Sequence, residues 1–354
     1  MALSLPRAPW LRVLLPAAAI AAGVALVWWR GPSWHLLEDA FTSVYWRWVV
    51  AAIALNLLSV VARSFAWRTV INQAMPPPHP SYPLIFSAFS VGLFANAVLP
   101  GRIGELARVA VLTRRMSGRP GVWATLVGTV FAHRVFDLVA VILLIGYVLL
   151  EARIPAWAIT SLVAIVAVGL TLLAFSILSA RRHHRPVLEE LGVVRRLLTM
   201  ASHGLGVMRA PVAAAGAIAL QCLGWGCQLL AVYATMRAFN IEEPLVAAGL
   251  VLVLMNVATI FPLWPGNVGL LQAAVALPLV SYGIDYAHGF AFGIGLQAIE
   301  ASVGVAVGLA FLAREGLSVA MLRHMPGAAQ AEVPEEEPRS ERRPPARARV
   351  PSQP

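Results

Sequence analysis

Apolar residues run along this chain in long unbroken blocks, not in the short alternation of a protein with one wet face. Blocks at about 13–29, 46–67, 122–150, 155–179, 211–236 and 286–312 hold very few charges. Each supplies the roughly 20 residues a helix needs to cross a hydrocarbon layer about 30 Å thick. Helices also satisfy their own backbone hydrogen bonds in lipid. The pattern predicts an all-α polytopic membrane protein with about six full transmembrane helices. Two further apolar stretches are interrupted, about 82–112 by Pro100-Gly101 and about 244–283 by Pro262 and Pro265-Gly266.

The polar residues between the blocks orient them. Arg7 and Arg12 put the N-terminus in the cytoplasm, and Glu38 and Asp39 then fall outside. The second block returns to the cytoplasm near Arg68, yet the stretch after residue 82 ends in Arg114, Arg115 and Arg119, which demand the same side. A segment with both ends on one side does not cross. The reading is a re-entrant hairpin that enters as one half-helix, breaks where proline removes a donor and glycine frees the backbone, and returns as another. The Arg-rich loop "RRHHRPVLEELGVVRR" then lies inside, Glu242 and Glu243 lie outside, and 244–283, with no basic residue, forms a second hairpin entering from outside. The last block returns Arg314, Arg323 and the C-terminus to the cytoplasm.

Span, hairpin, span thus occurs twice with opposite orientation, an inverted repeat echoed by "PGRIG" at 100–104 and "PGNVG" at 265–269. The divisions are an N-terminal helix and external loop (1–45), a first membrane repeat (46–150), a linking helix and basic loop (151–210), a second repeat (211–315) and a tail (316–354). The tail is rich in Pro, Glu and Arg and is expected to be disordered. Its Arg cluster reads either as an anchor for anionic lipid heads or as a solvated end.

Composition agrees with a membrane solvent: 59% of the 354 residues are hydrophobic and 12% charged, against about 25% charged in soluble domains. The net charge of +10 comes from 27 basic residues, all arginine. They fall in loops, membrane-proximal turns and the tail, which argues against nucleic acid as a partner. Cys222 and Cys227 lie in one apolar run and read as small packing residues. Arg7 and Arg12 ahead of the first block imitate a secretory signal, but Trp28, Trp29 and Arg30 follow where a cleavage site is wanted, so an uncleaved first helix is expected.

Charges at membrane depth are costly and therefore default functional candidates. If a half-helix starts after Gly101, its N-terminus offers free N–H groups to an anion, and Arg102 adds a bidentate fork suited to phosphate. Arg102, Glu105 and Arg108 lie three apart on one helical face, so Glu105 can hold one guanidinium and leave the other for substrate. A structural ion-pair ladder fits the same spacing. Asn96 either caps the break near Pro100 or ligates substrate. In "HRVFD", Arg134 and Asp137 stand i and i+3, as a structural pair or with Arg134 facing the Arg102 cavity. His133 points elsewhere as a packing residue, and Arg63 and Arg68 read as snorkelling to the headgroups. In the second half Asn267 and Gln272 occupy the related break, while Gln297 and Glu300 stand i and i+3 in the last block. That half should shape a cavity and donate hydrogen bonds, with Glu300 a candidate proton-coupling carboxylate. No GxGxxG, P-loop, nucleophile elbow or HExxH pattern occurs, so neither an enzyme activity nor a cofactor or metal is expected.

At "NAVLPGRIGELARVAVLTRR", "HRVFDLVAVILL" and "FPLWPGNVGLLQAAVAL" the chain resembles the flippase-like integral membrane family named for the transmembrane region of lysylphosphatidylglycerol synthase, over about Arg47 to Glu315. The resemblance implies a bacterial inner-membrane protein that moves an anionic amphiphile, a phospholipid or a polyprenyl-phosphate-linked sugar, between leaflets. It singles out Asn96, Pro100, Arg102, Gly104, Glu105, Arg108, Arg134 and Asp137, with Pro265, Gly266 and Gly269. Gln272 stands where an acidic residue is expected, which puts a carboxylate role there in doubt. An aminoacyl-transfer domain of the kind the large synthases have is not expected in this chain. Membrane lipid or lipid-linked sugar is the expected partner, with a homo-oligomer or an envelope-biosynthesis enzyme as a protein partner. The competing expectation is a non-transporting scaffold for a lipid- or envelope-modifying enzyme.

Overall fold

Four of the apolar blocks become long helices and the two interrupted stretches become pairs of short ones. A computed structural model describes residues 34–99, 103–116, 122–152, 159–160, 163, 167–168, 170–171, 210–259 and 267–315. The expectations for the first block, the tail and the basic loop lie outside these residues, as does almost all of 155–179. The described helices are α1 (Trp34–Thr42), α2 (Trp46–Ala74), α3 (Tyr82–Val98), α4 (Gly104–Arg115), α5 (Val122–Glu151), α6 (Pro211–Ala238), α7 (Leu245–Ala258), α8 (Leu270–Val280) and α9 (Tyr286–Arg314).

The helices α2, α5, α6 and α9, of 28 to 30 residues, are long and apolar enough to cross a membrane. At 1.5 Å per residue each spans about 42–45 Å. The limbs α3, α4, α7 and α8, of 11 to 17 residues, reach only about 16–26 Å, short of a full crossing. Proline sets several boundaries. Met75 and Leu99, which follow α2 and α3, both adopt extended ψ of 141°, because the ring of the following proline disfavours the helical region for the residue before it. Pro211 and Pro244 open α6 and α7 without leaving an interior donor missing.

Side-chain packing forms two main cores. One joins α6, α7, α8, the first half of α9 and the second half of α5, from Ala140 to Val148. The other joins α2, α3, α4, the first half of α5 and the second half of α9, from Val303 to Leu312. Thus α5 and α9 each leave their own hairpin and finish in the other's core: α3 packs on α9 as α7 packs on α5, while α2 and α6 make the most extensive helix pair. Outward faces stay apolar, with Leu143, Leu150, Val212 and Leu223 exposed, as a lipid-facing surface requires.

Hydrogen bonds identify the ends of the bundle. At one end Tyr45 donates its N–H to Ala238 O at 2.9 Å, Asn240 Nδ2 donates to Ser43 O at 3.0 Å, and His288 Nε2 lies 2.6 Å from Phe239 O. The start of α2, the end of α6 and the start of α9 meet there. At the other end Glu315 accepts from Ser87, near the start of α3, and from Arg115, the last residue of α4, each at 2.9 Å. Both outer ends of the first hairpin therefore lie where α9 finishes.

Candidate functional site

The tip of the first hairpin begins the site. Asn96 Oδ1 accepts the Gly104 N–H at 2.8 Å, which gives one orphan donor of the α4 N-terminus a partner. Gly92 and Gly104 let the limbs touch: a Cβ on Gly104 would lie 2.0 Å from Gly92 O and 2.6 Å from Asn96 Cγ. This close approach brings the first turns of α4 against α5.

From there a line of alternating charge runs through the bundle. Glu105 of α4 pairs with Arg108 on its own helix and with Arg134 of α5. Arg134 Nη1 donates to Asp137 Oδ2 at 2.8 Å, and Arg63 of α2 donates to Asp137 Oδ1 at 2.9 Å. Asp137 also accepts from Gln221 Nε2 at 2.8 Å and Trp225 Nε1 at 3.0 Å, both on α6. Four donors from three helices thus compensate a carboxylate that is 5% exposed, the condition under which a charge is tolerated in a dry interior.

The cations are further held by aromatic faces. The Arg108 guanidinium lies 4.5 Å from the Trp67 ring centroid and 5.3 Å from that of Phe89. Trp67 is itself fixed by donating to Thr129 Oγ1 at 3.1 Å. Arg63 lies 5.1 Å from the Trp225 ring. Such contacts stabilise desolvated guanidinium groups by about 2 kcal/mol each.

A small cavity of about 50 Å³, partly open to its surroundings, lies along this line. Arg63, Arg108 and Arg134 line it together with Glu105, Asn96 and His133, and Phe89, Leu93, Gly92 and Gly104 complete the wall. Arg134 is the most accessible of the three cations, its side chain 45% exposed against 20% for Arg63 and 4% for Arg108. Among the described residues, Arg63 Nε and Arg108 Nε are buried donors without a hydrogen-bond acceptor.

Sequence reasoning brought Asn96, Gly104, Glu105, Arg108, Arg134 and Asp137 forward, and the fold gathers them in one place. Pro100, Arg102, Pro265 and Gly266 lie outside the described residues. Arg63 does not follow its reading as a snorkelling residue: it turns inward onto Asp137. His133 is buried as expected of a packing residue, yet it also lines the cavity and lies 3.3 Å from Gln221 Nε2. Gln221 and Trp225 went unread in the sequence, where their only signal is polar or indole nitrogen four residues apart on an apolar helix.

In the second half Asn267, with a positive φ of 44°, donates to Ala258 O at 3.3 Å across the hairpin bend. Gly269 has φ 90°, and its N–H donates to Gln272 Oε1 at 2.6 Å. Gln272 Nε2 donates to Gln297 Oε1 at 2.5 Å. Glu300 sits one turn beyond, beside Gln228 of α6 and within electrostatic reach of Arg63.

The description "Lysylphosphatidylglycerol synthase TM region" fits residues 15–308. A UPF0104 membrane protein of Methanocaldococcus jannaschii is 25% identical to the chain over 204 residues, covering 56% of this chain and 84% of that protein. No solved structure matches the chain. The family match takes in both hairpins and nearly all of the four long helices, and the chain belongs to the family of the lysylphosphatidylglycerol synthase transmembrane region.

Proposed function

We propose that the protein translocates an anionic amphiphile, a phospholipid or a polyprenyl-phosphate-linked sugar, between the leaflets of a bacterial inner membrane without altering it chemically. The observation that carries this reading is the cavity lined by three guanidinium groups, two of which keep a buried N–H without an acceptor among the described residues. A phosphate oxygen is the complementary ligand, since guanidinium forks bind it through charge-assisted hydrogen bonds. Exposed apolar side chains on the outer faces of the helices suit acyl or isoprenoid chains that stay in lipid. Membership of a family named for a lysyl-phospholipid synthase fits a lipid cargo.

The same reading supplies the topology. The hairpins α3–α4 and α7–α8 are re-entrant, enter from opposite leaflets and belong to inverted repeats α2–α5 and α6–α9, with both termini of the chain cytoplasmic. Halves exchanged in this way, with broken helices at the centre, give alternating access around a central site.

Flipping in proteoliposomes tests the reading, with fluorescent anionic, zwitterionic and polyprenyl-phosphate probes and a membrane-impermeant quencher. Protein-dependent loss of inner-leaflet protection that falls at least about tenfold in Arg102→Ala and in Arg134→Ala is expected, a tenfold change being about 1.4 kcal/mol of lost interaction. Folded protein that moves no probe, with or without a pH gradient, overturns the translocase and leaves the scaffold. A chemically altered probe overturns it in favour of an enzyme.

A further inference from the structure

The second half of the chain carries a polar line that mirrors the charged one in neutral form. Gln297 and Glu300 stand three apart on α9 as Arg134 and Asp137 do on α5. Gln272 reaches Gln297 from the returning limb of its hairpin, as Glu105 reaches Arg134. Gln228 of α6 flanks Glu300 as Arg63 of α2 flanks Asp137. At each matched place an amide replaces a charge, except that the final acid is kept.

That acid is only partly compensated where it lies, by a side-chain hydrogen bond with Gln228 and by the charge of Arg63. Among the described residues, Glu300 Oε1 is buried and has no hydrogen-bond donor, and Gln228 Oε1 is likewise unpartnered. A carboxylate among amides at membrane depth is costly, and a proton on Oε1 removes the charge while adding a donor. Arg63 is the charged side chain acting on Glu300. Of the other helices packed on α9, α8 has no ionisable residue and α3 has only Tyr82, at its first position. Arg47 and Arg237 lie in the terminal turns of α2 and α6, Arg68 lies beyond Arg63 on α2, and Glu38 and Asp39 of α1 are exposed.

Arg63 therefore pairs with the acid of one half and acts electrostatically on that of the other. It donates to Asp137 through Nη2 at 2.9 Å, while its Nε has no acceptor among the described residues. Its stem lies against Gly224, where a Cβ would come within 2.7 Å of Arg63 Cγ, so the arginine lies at the α2–α6 contact on which both halves meet.

We propose that Glu300 is a proton-binding site and that its proton decides which acid holds Arg63. With Glu300 protonated, Arg63 stays on Asp137 and the charged line of the cavity is intact. When Oε1 releases its proton to water, the carboxylate competes for the guanidinium and the line loses Arg63. No other bond is made or broken. The proton site stands apart from the cargo; its use to drive movement rests on the translocase reading.

The test reads the proton first. Infrared difference spectra of the full-length protein in lipid, recorded from mildly acid to mildly alkaline pH, are expected to contain a protonated-carboxyl stretch that disappears in Glu300→Gln. Its midpoint is expected at lower pH in Asp137→Asn, where Arg63 is released to Glu300, and at higher pH in Arg63→Met. Absence of a titrating band that Glu300→Gln removes overturns the site. A band whose midpoint ignores both other variants overturns the sharing of Arg63. Translocation is read separately in proteoliposomes: an imposed pH gradient is expected to speed the wild type several-fold and leave Glu300→Gln unchanged. Movement that ignores the gradient in both overturns the coupling while leaving the translocase standing, and protein that moves no probe under any gradient overturns the translocase, with the infrared titration still deciding the proton site.

Discussion

At Asp137 two positive charges and two neutral donors converge on one carboxylate with little exposure. Removing it leaves Arg63 without its partner in the interior, so Asp137→Ala is expected to lower stability by about 3–5 kcal/mol. Arg134 is nearly half-exposed on its side chain, and its loss should cost under about 1 kcal/mol while abolishing most translocation. Unfolding followed in the same detergent for both variants checks the contrast; equal losses would refute this account of Asp137. The i, i+3 spacing made the Arg134–Asp137 pair legible in the sequence. Arg63 was not legible, because a long cation near the end of an apolar helix looks the same whether it snorkels outward or turns in. What decides it is Asp137, 74 positions later, together with the Trp225 face and the small Gly224, and periodicity along one helix carries none of that.

The helical elements were the most legible part, since uninterrupted apolar length alone marks α2, α5, α6 and α9. The breaks were legible through proline, and α3 does end at Val98, two residues before Pro100. The interlocking of limbs was not, because it depends on one glycine, with no side chain, meeting the carbonyl of another across the hairpin. Gly104→Ala places a methyl 2.0 Å from Gly92 O, and backbone on a packed helix does not yield that far. It is expected to force the limbs apart, costing at least about 1–3 kcal/mol and opening the contact between Glu105 and Arg134. Asn96→Ala is milder, losing one capping bond for about 1 kcal/mol. A Cβ added at Gly226 on α6 would meet no atom within 4 Å, so Gly226→Ala should be neutral or gain up to about 1 kcal/mol. Thermal unfolding that ranked Gly226→Ala as the more damaging of the two glycine changes would contradict the packing described for the hairpin.

At the scale of the whole molecule, the fold distributes one task over two unequal halves. The cores exchange the ends of α5 and α9, and α2 against α6 is the most extensive helix contact between the halves. This arrangement carries a sidedness prediction. His79 precedes α3 and Arg114 lies in the last turn of α4; both are exposed, and both belong at the end marked by Glu315. Glu242 precedes α7 and Ser281 follows α8; both are exposed and belong at the end marked by Tyr45 and Ala238. In a chain with Cys222 and Cys227 changed to alanine, single cysteines at 79 and 114 are expected to react with an impermeant thiol reagent from the cytoplasmic side. Cysteines at 242 and 281 should react from the opposite side. If 79 and 114 label from opposite sides, α3 and α4 together cross the membrane and the paired re-entrant hairpins fail. If all four label as expected, the positive charge of the first hairpin and the amides of the second approach the same centre from opposite leaflets, which is the geometry that lets a headgroup be received on one side and released on the other.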